Sequence, residues 1–545
     1  MRSGPGLREA KRPPPRRGQC LGTLALAAGL LLRAASAAPP SDAPRRGGTL
    51  RLVGSDEFST LDPAVSLNIS YQALQRLMFR GLFDYDAQDH LVPEQASDWA
   101  LSTDRRVYTF HLRPGVRFPS GREVEAEDYI FALERVINPR TASSGQSYFT
   151  GVRGAEEYAA GAALRVAGLR APDPRTLVIE LTQPSVIFPF KLAMPYAFPV
   201  PREQVTSSVR AYREHLEGSG PYRVLDHQPG VRWRLGRNPR YRGADGFPDQ
   251  VDLQIVRDRY LHTMMIECGD ADLSLNQLTG LDATRLRRDP SLREAVRRVR
   301  MPAVDFIFMN TGVKPFDNRL VRRAVNFAVD RERLARLETT AVPARAVLPG
   351  VLALGGVEPP HYDYDPVRAR GLLAGAGFAN GFETELWYIR GFLGRVPESV
   401  QAQLAAVGIR ATLHPVTADT LWDKAGARGQ VPCGIWGWVV DFPDAASMFD
   451  PALNGAKNSD RDCNNVAFYS NPEVSTLLAS ADRVFDPASR AGLLRRVESI
   501  VMQDAPWAPL IHNEYAYLCA PRVRGFVPHP LWSYRIERIW LADGQ

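Results

Sequence analysis

The sequence predicts an α/β protein of two or three folding units, and three observations support this prediction. The chain has 545 residues, which is more than one ordinary domain contains. Its hydrophobic content of 45% and charged content of 23% are typical of proteins that bury a core. Strand-like and helix-like patterns alternate in the second half of the chain, as in βαβ units.

The first 37 residues have the pattern of a secretory signal. A basic segment ends at Arg17, an apolar stretch covers residues 21–32, and residues 35–37 form an Ala-Ser-Ala cleavage site. The apolar stretch is shorter than the roughly 20 residues that span a bilayer, which disfavours a membrane anchor. We therefore expect cleavage and export to the periplasm, with the Arg16-Arg17 pair leaving a twin-arginine route open.

The positive charge of the chain is concentrated in this predicted signal. The formal net charge is +7. Residues 1–37 hold one acidic residue, Glu9, and seven basic ones: Arg2, Arg8, Lys11, Arg12, Arg16, Arg17 and Arg33. The remainder carries a net charge of only +1, so it has no basic field that could hold phosphate backbones. The sequence therefore excludes nucleic acid as a partner.

The first 300 residues combine strand and helix patterns that are separated by turn signals. A Pro-rich linker over 39–44 comes first, and a Gly-Ser-Gly-Pro cluster at 218–221 breaks the pattern later. Alternating apolar residues predict strands over 49–53, 107–112, 176–181, 231–235 and 251–255. Apolar residues at helical spacing predict helices over 71–83 and 124–136.

From residue 299 onwards the predicted elements alternate more regularly. Strands are expected over 299–310, 384–389, 409–414 and 433–440. Helices are expected over 319–329, 366–375, 396–406, 418–427, 472–483 and 487–503. The extended apolar segment 507–516 is consistent with a tail that crosses back to the first lobe.

Motif searches yield no catalytic, cofactor or metal site. The sequence has no GxSxG elbow, no phosphate-binding loop, no HExxH helix and no CxxC pair. The carboxylates of Asp460 and Asp462 are interpreted as parts of a solvated loop. Four cysteines remain after signal cleavage: Cys268, Cys433, Cys463 and Cys519. They allow three pairings into two bridges, and the alternatives are one structural bridge or buried thiols.

The strand predicted over 433–440 carries the strongest binding signal. Trp436 and Trp438 precede Asp441 at its carboxyl end. Ligands of open α/β sheets sit beyond the carboxyl ends of strands, and a carboxylate beside indole rings can hold an ammonium group. The alternative is a tryptophan pair in the core, with an aspartate that caps the next segment. The local sequence leaves both interpretations open.

Short segments spread over about 400 residues occur together in the order of a known family. They are 59–63, 79–83, 108–113, 117–121, 127–129, 138–143, 219–222, 238–239, 314–318, 328–330 and 438–441. On these segments the chain resembles the periplasmic solute-binding proteins of ABC importers, in the dipeptide and oligopeptide branch known as family 5. The stretch 141–148 is most similar to the oligopeptide-binding members.

The resemblance implies a two-lobed α/β fold with the ligand enclosed between the lobes. After a signal peptide over 1–37, the first lobe would comprise 38–80, 200–300 and 510–545. A subdomain over 81–199 would be inserted in it, and the second lobe would cover 301–509.

The resemblance also implies a function. The chain would be a monomeric substrate-binding component, without enzyme activity or cofactor, that captures short peptides and delivers them to a membrane permease. Alternatives are a metal chelate, a glutathione-like compound or an oligosaccharide as cargo, or a secreted peptide hydrolase. Asp441 would pair with the α-ammonium of the ligand, within a site formed by Asp441, Trp438, Trp436, Asn310 and Tyr148.

Three positions depart from the family pattern. Ile435 stands where some members place an arginine for the peptide carboxylate. Gly145 replaces a tyrosine of the insert that contacts peptide, and Leu67 replaces an acidic pocket residue of the first lobe. These changes concern the length and charge of the ligand and leave the ammonium anchor in place.

Overall fold

The structure is a computed structural model that describes residues 43–543 except 58, 59, 66–68, 87, 215, 291, 293, 294, 339, 357 and 532. The predicted signal over 1–37 lies outside the described residues, and so does Leu67.

The elements alternate between helices and strands along most of the chain, as the sequence predicts. The strands are β1 (Thr49–Gly54), β2 (Phe83–Tyr85), β3 (Leu91–Pro93), β4 (Ala96–Leu101), β5 (Val107–Leu112), β6 (Leu169–Asp173), β7 (Thr176–Glu180), β8 (Tyr222–Gln228), β9 (Arg232–Arg237), β10 (Gln250–Ile255), β11 (Leu273–Ser274), β12 (Val296–Met309), β13 (Ala341–Pro343), β14 (Phe382–Ile389), β15 (Ile409–Val416), β16 (Cys433–Val439), β17 (Trp507–Leu518), β18 (Val523–Arg524), β19 (Pro528–His529), β20 (Ser533–Tyr534) and β21 (Trp540–Leu541).

The helices are α1 (Ile69–Met78), α2 (Ala126–Ile137), α3 (Ala155–Ala159), α4 (Phe188–Leu192), α5 (Arg202–Ser207), α6 (Val209–Glu214), α7 (Arg259–Glu267), α8 (Gly280–Arg288), α9 (Arg319–Ala328), α10 (Arg331–Leu337), α11 (Pro366–Gly375), α12 (Val396–Ala405), α13 (Ala418–Ala425), α14 (Ala446–Leu453), α15 (Pro472–Ala481) and α16 (Pro487–Asp504). None of those in the described part of the chain combines the length and the apolar composition needed to cross a bilayer.

The predicted strands and helices are confirmed, with small shifts at their ends. The largest shift is at α1, which ends at Met78 instead of Phe83. The chain leaves the helix before Gly81, which packs so closely against Phe198 that a Cβ atom there would lie 2.7 Å from its ring. Local spacing cannot reveal such a long-range contact.

Three larger sheets organise the molecule. The first has the strand order β11-β1-β10-β9-β8, and β1 runs parallel to both of its neighbours. The second is a four-stranded antiparallel sheet of order β4-β5-β7-β6, and α2 packs beside it. The third has the order β13-β17-β12-β16-β14-β15.

The third sheet contains the predicted βαβ crossover. β14 and β15 are parallel neighbours, and α12 connects them. β16 is also parallel to β14 and lies at the centre of the sheet, with β12 antiparallel on its other side. β14 pairs with β16 near its amino end, at Gly434, whereas β12 pairs with it up to Val439. The carboxyl end of β16 is therefore held by β12, and the residues that follow it start from a fixed position.

The described residues form two hydrophobic cores. One surrounds the first sheet, with Leu52, Leu74 and Val251 completely or almost completely buried. The other joins the four-stranded sheet to the third sheet, and includes Phe110 and Ile435. β12 and β17 contribute residues to both cores, so these two strands connect them. The exact lobe boundaries stay a prediction.

The pairing of β12 with β17 is interrupted between the two cores. Arg300 is paired with Glu514, and the next pair is Val304 with His512. Three residues of β12, 301–303, therefore lie opposite a single residue of β17. Such an irregularity is a β-bulge, which bends a strand locally.

Four buried charged side chains connect the C-terminal segment to α1. Arg76 is paired with Asp84 at 2.7 Å and with Glu537 at 3.3 Å, and Arg535 reaches Asp84 at 2.9 Å. The four side chains are at most 8% exposed. We call this group the Arg76 cluster. Burial alone raises the pKa of the Asp84 carboxyl, but Arg76 and Arg535 outweigh it and hold that pKa far below its usual range.

The four cysteines of the described chain form no disulfide. Cys433, Cys463 and Cys519 are buried thiols, and Cys268 is exposed. Of the alternatives that the sequence left open, the structure has the unbridged one.

Candidate functional site

The segment after β16 is held in place by the start of α14. The indole nitrogen of Trp438 donates a hydrogen bond to the carbonyl oxygen of Ser447 at 3.1 Å. The backbone N–H of Asp441 donates to the hydroxyl oxygen of Ser447 at 2.9 Å. Arg490 forms two hydrogen bonds of 2.6 and 2.7 Å to the carboxylate of Asp444. The loop that carries Asp441 is therefore fixed on both sides of this residue.

The carboxylate of Asp441 meets a tyrosine from the subdomain region around the four-stranded sheet. The hydroxyl group of Tyr148 donates a hydrogen bond of 2.7 Å to Oδ2 of Asp441. Tyr148 belongs to a short 3-10 helix, Gln146–Tyr148, and its ring stacks on Tyr196 at a centroid distance of 5.9 Å. A Cβ atom on Gly145 would lie 2.6 Å from the ring of Tyr196, so this position requires glycine for the tyrosine pair to pack.

Asp441 is a carboxylate without a matching positive charge. Tyr148 is its one side-chain donor among the described residues, and no described basic side chain forms an ion pair with it. Burial raises the pKa of Asp441 to about 6, although the hydrogen bond from Tyr148 acts in the opposite direction. Burial also raises the pKa of Tyr148 well above its usual value, so Tyr148 remains a donor. An ammonium group would supply the missing charge.

Asp441 and Tyr148 line a cavity of about 360 Å³. A second cavity of about 280 Å³ adjoins it and shares Tyr148, Lys191 and Asp450 among its lining residues. The larger volume lies within the range typical of small-molecule sites, roughly 300–1,000 Å³. The arrangement can therefore hold a small solute that carries a positive group.

The other three residues proposed from the sequence do not line this cavity. Trp438 lies behind Asp441, with its indole N–H bound to Ser447. Trp436 is 9% exposed and packs against Trp422 at a centroid distance of 5.5 Å. Asn310 is 2% exposed, and its amide group donates to Val431 and accepts from the N–H of Gly312. The structure thus brings together Asp441 and Tyr148, with Trp438 as a neighbour.

Sequence reasoning missed three charged residues of the cavity: Lys191, Asp450 and Lys457. A signal for the first existed in the sequence, since Lys191 interrupts the apolar run Ile187–Met194. Asp450 and Lys457 lie in a polar stretch in which nothing distinguishes them. Among the described residues, no group of three or more His, Cys, Asp or Glu side chains could hold a metal ion.

Comparison with known proteins identifies a family and curated relatives to which the chain is similar. Residues 90–460 match the family described as bacterial extracellular solute-binding proteins, family 5 Middle. The glutathione-binding protein GsiB of Escherichia coli K12 is 28% identical over 502 residues, which cover 89% of this chain and 93% of that protein. GsiB of Shigella flexneri is similar to the same extent.

Solved structures show the same fold. The clavulanic acid biosynthesis oligopeptide binding protein 2 is similar with a TM-score of 0.86 and 30% identity, over 92% of this chain and 96% of that one. DppA from Helicobacter pylori in complex with the peptide STSA is similar with a TM-score of 0.79 and 22% identity, over 91% of this chain and 99% of that one. The predicted two-lobed α/β fold is confirmed by these similarities.

Proposed function

Because the chain belongs to the bacterial extracellular solute-binding proteins of family 5, we propose that it captures short peptides and delivers them to a membrane permease. Proteins of this family are periplasmic substrate-binding components of ABC transporters. The chain is therefore a transport component and not an enzyme. The peptide nature of the cargo and the roles of individual residues are the parts that we propose.

The observation that supports a peptide ligand most strongly is the partly buried carboxylate of Asp441, which faces Tyr148 and lacks a cation. Every unmodified peptide has an α-ammonium group, whatever its sequence. In the bound state, this group would form a charge-assisted hydrogen bond with Asp441 and offset the cost of its burial. Tyr148 would keep the carboxylate oriented through its hydrogen bond.

Glutathione is a second candidate, because curated relatives with 28% identity are named glutathione-binding proteins. Glutathione is itself a small peptide with one ammonium group, so it would use the same carboxylate. A sugar carries no ammonium group and would leave Asp441 without a counterion. The geometry at Asp441 therefore favours peptide-like solutes over an oligosaccharide.

Identification of the natural ligand is the direct test. The protein should be isolated under native conditions, and the solute extracted from it should be analysed by mass spectrometry. We expect short peptides, including glutathione, with free amino groups. Recovery of sugars or metal chelates in stoichiometric amounts would contradict the proposal.

The role of Asp441 can be tested by substitution. Removal of one partner of a buried ion pair costs about 3–5 kcal/mol, so Asp441→Ala should weaken peptide binding by several hundredfold in calorimetry. Asp462→Asn is a matched control, since Asp462 lines the same cavity but is exposed. It should change the affinity by less than about threefold. Equal affinities of the wild type and Asp441→Ala would refute the anchor.

A further inference from the structure

Lys191 is an unusual residue for its surroundings. It lies in α4 between two buried apolar residues, Phe188 and Leu192, and its side chain lines both adjoining cavities. Lysine is rare in this chain, which has 67 lysine and arginine residues together but only these lysines: Lys11, Lys191, Lys314, Lys424 and Lys457. An arginine would have been the ordinary choice for a structural ion pair in this protein.

The two lysines that line the cavity, Lys457 and Lys191, differ in their ion pairing. Lys457, whose side chain is 55% exposed, forms an ion pair with Asp450. Asp450 also accepts a hydrogen bond of 2.8 Å from Asn454. The ammonium group of the less exposed Lys191 has no hydrogen bond and no ion pair among the described residues. The lysine that needs a counterion more is thus the one that lacks it.

Asp482 does not supply this counterion directly. Its carboxylate accepts a hydrogen bond of 2.8 Å from the hydroxyl group of Ser185, and it forms no ion pair with Lys191. Burial lowers the pKa of Lys191, and the more distant charges of Asp482 and Asp450 offset this only in part. Asp482, Asp450 and Asp441 line these cavities with Lys191, but none of them forms an ion pair with its ammonium group. This partly buried charge is therefore only partly compensated in the free protein.

We propose that Lys191 binds the C-terminal carboxylate of the captured peptide. This inference rests on the proposed function and adds a binding residue for the other end of the peptide, its C-terminus. The two termini are the only charges that all peptides share, and Asp441 and Lys191 line one cavity with opposite charges. Ile435, the other position considered for this role, is completely buried and apolar, so it cannot bind the carboxylate.

The experiment compares two lysine variants with three kinds of probe. The probes are an equimolar mixture of tri- to pentapeptides with free carboxylates, the same mixture as C-terminal amides, and glutathione. Lys191→Met and Lys457→Met form a matched pair, because both lysines line the same cavity and only Lys457 is already paired. Retained probes are identified by mass spectrometry, and their affinities are measured by calorimetry.

We expect the wild-type protein to bind the free acids about 10- to 100-fold more tightly than the amides, the effect of one charge-assisted hydrogen bond. Lys191→Met should lose this preference and bind acids as weakly as amides. Lys457→Met should keep it. The preference of the wild-type protein can be measured even if Lys191→Met does not fold.

Two failures can be told apart. If the wild-type protein retains none of the probes, the proposed peptide function is wrong. If it binds acids and amides equally, or if Lys191→Met binds the acids as tightly as Lys457→Met does, the role of Lys191 is wrong and the peptide function stands.

Discussion

Two regions of this molecule bury charged side chains in opposite ways. In the Arg76 cluster each carboxylate faces two arginines. Asp84 contacts Arg76 and Arg535. Glu537 contacts Arg76 and also Arg80, a neighbouring buried arginine outside the four that define the cluster. In the cavity, Asp441 has a tyrosine as its partner and Lys191 has none among the described residues. The pKa of Asp84 is held far below its usual range, whereas the pKa of Asp441 is raised to about 6.

This difference in pairing distinguishes buried charges that stabilise the fold from buried charges that are available to bind a solute. A buried cluster in which every carboxylate already faces two arginines offers no uncompensated charge to a ligand, and removing one of its members affects stability. An incompletely paired carboxylate costs stability in the free protein, and this cost is recovered when a ligand supplies the opposite charge. Three predictions test this distinction.

The largest effect is expected for Asp84→Ala. This change leaves buried arginines without their counterion and should lower the free energy of unfolding by about 3–5 kcal/mol. Asp460→Ala is the control, because Asp460 is paired with Arg428 but its side chain is 84% exposed. It should cost less than about 1 kcal/mol. Urea unfolding followed by circular dichroism measures the free energy of unfolding of both variants. Equal losses would show that the buried pairs of Asp84 stabilise the fold no more than an exposed ion pair does.

The second prediction concerns the pH dependence of peptide binding. The carboxyl of Asp441, with a pKa of about 6, must be ionised to hold an ammonium group. Below pH 6 protons compete with the ligand, so the affinity should fall by up to about tenfold per pH unit. A peptide without titratable side chains keeps its terminal charges between pH 5 and pH 7.

Calorimetry at pH 5 and pH 7 measures this effect. The Asp441→Asn variant should bind weakly and show little dependence on pH in this range. A wild-type affinity that is the same at both values would mean that Asp441 does not hold the ligand.

The smallest effect is expected for the stability of the free protein. The pKa of Asp441 lies above the value of about 3.9 for an unfolded aspartate, so the folded state takes up this proton first. The stabilising contribution of the protonated form is complete below about pH 4 and is lost as the pH rises through 6. Asp441→Asn should thus gain stability relative to the wild type with rising pH.

The gain should be on the order of 1 kcal/mol at pH 7.5, since solvent contact moderates the charge effect. Thermal unfolding of both proteins without ligand at pH 4 and pH 7.5 provides the measurement. A destabilised variant at pH 7.5 would indicate that Asp441 is a structural residue like Asp84.

The sequence alone could predict most of the elements and the position of Asp441. The strand over 433–440 is apolar and ends at a carboxylate, so its direction and its sheet determine where Asp441 lies. Asn310 shows the limit of this reasoning, because it also follows an apolar strand. Its amide is used within the turn to Gly312 and by Val431, and the sequence does not distinguish such an amide from one that binds a ligand.

The partners of Asp441 depend on packing between distant segments. Tyr148 and Asp441 are 293 positions apart, and their contact forms only when the four-stranded sheet and the third sheet share one core. Lys191 reaches the same cavity from a helix of five residues, too short to show a helical period. Pairing across such separations is decided by the tertiary fold, not by local patterns.

The interrupted pairing of β12 and β17 has a mechanical consequence. Between Arg300 and Val304 the ladder that joins the two connecting strands to each other is interrupted, in the stretch where they pass from one core to the other. Bending of β12 relative to β17 at this point breaks no hydrogen bond of a regular β12–β17 ladder. We therefore expect the pair of connecting strands to bend most easily at residues 301–303.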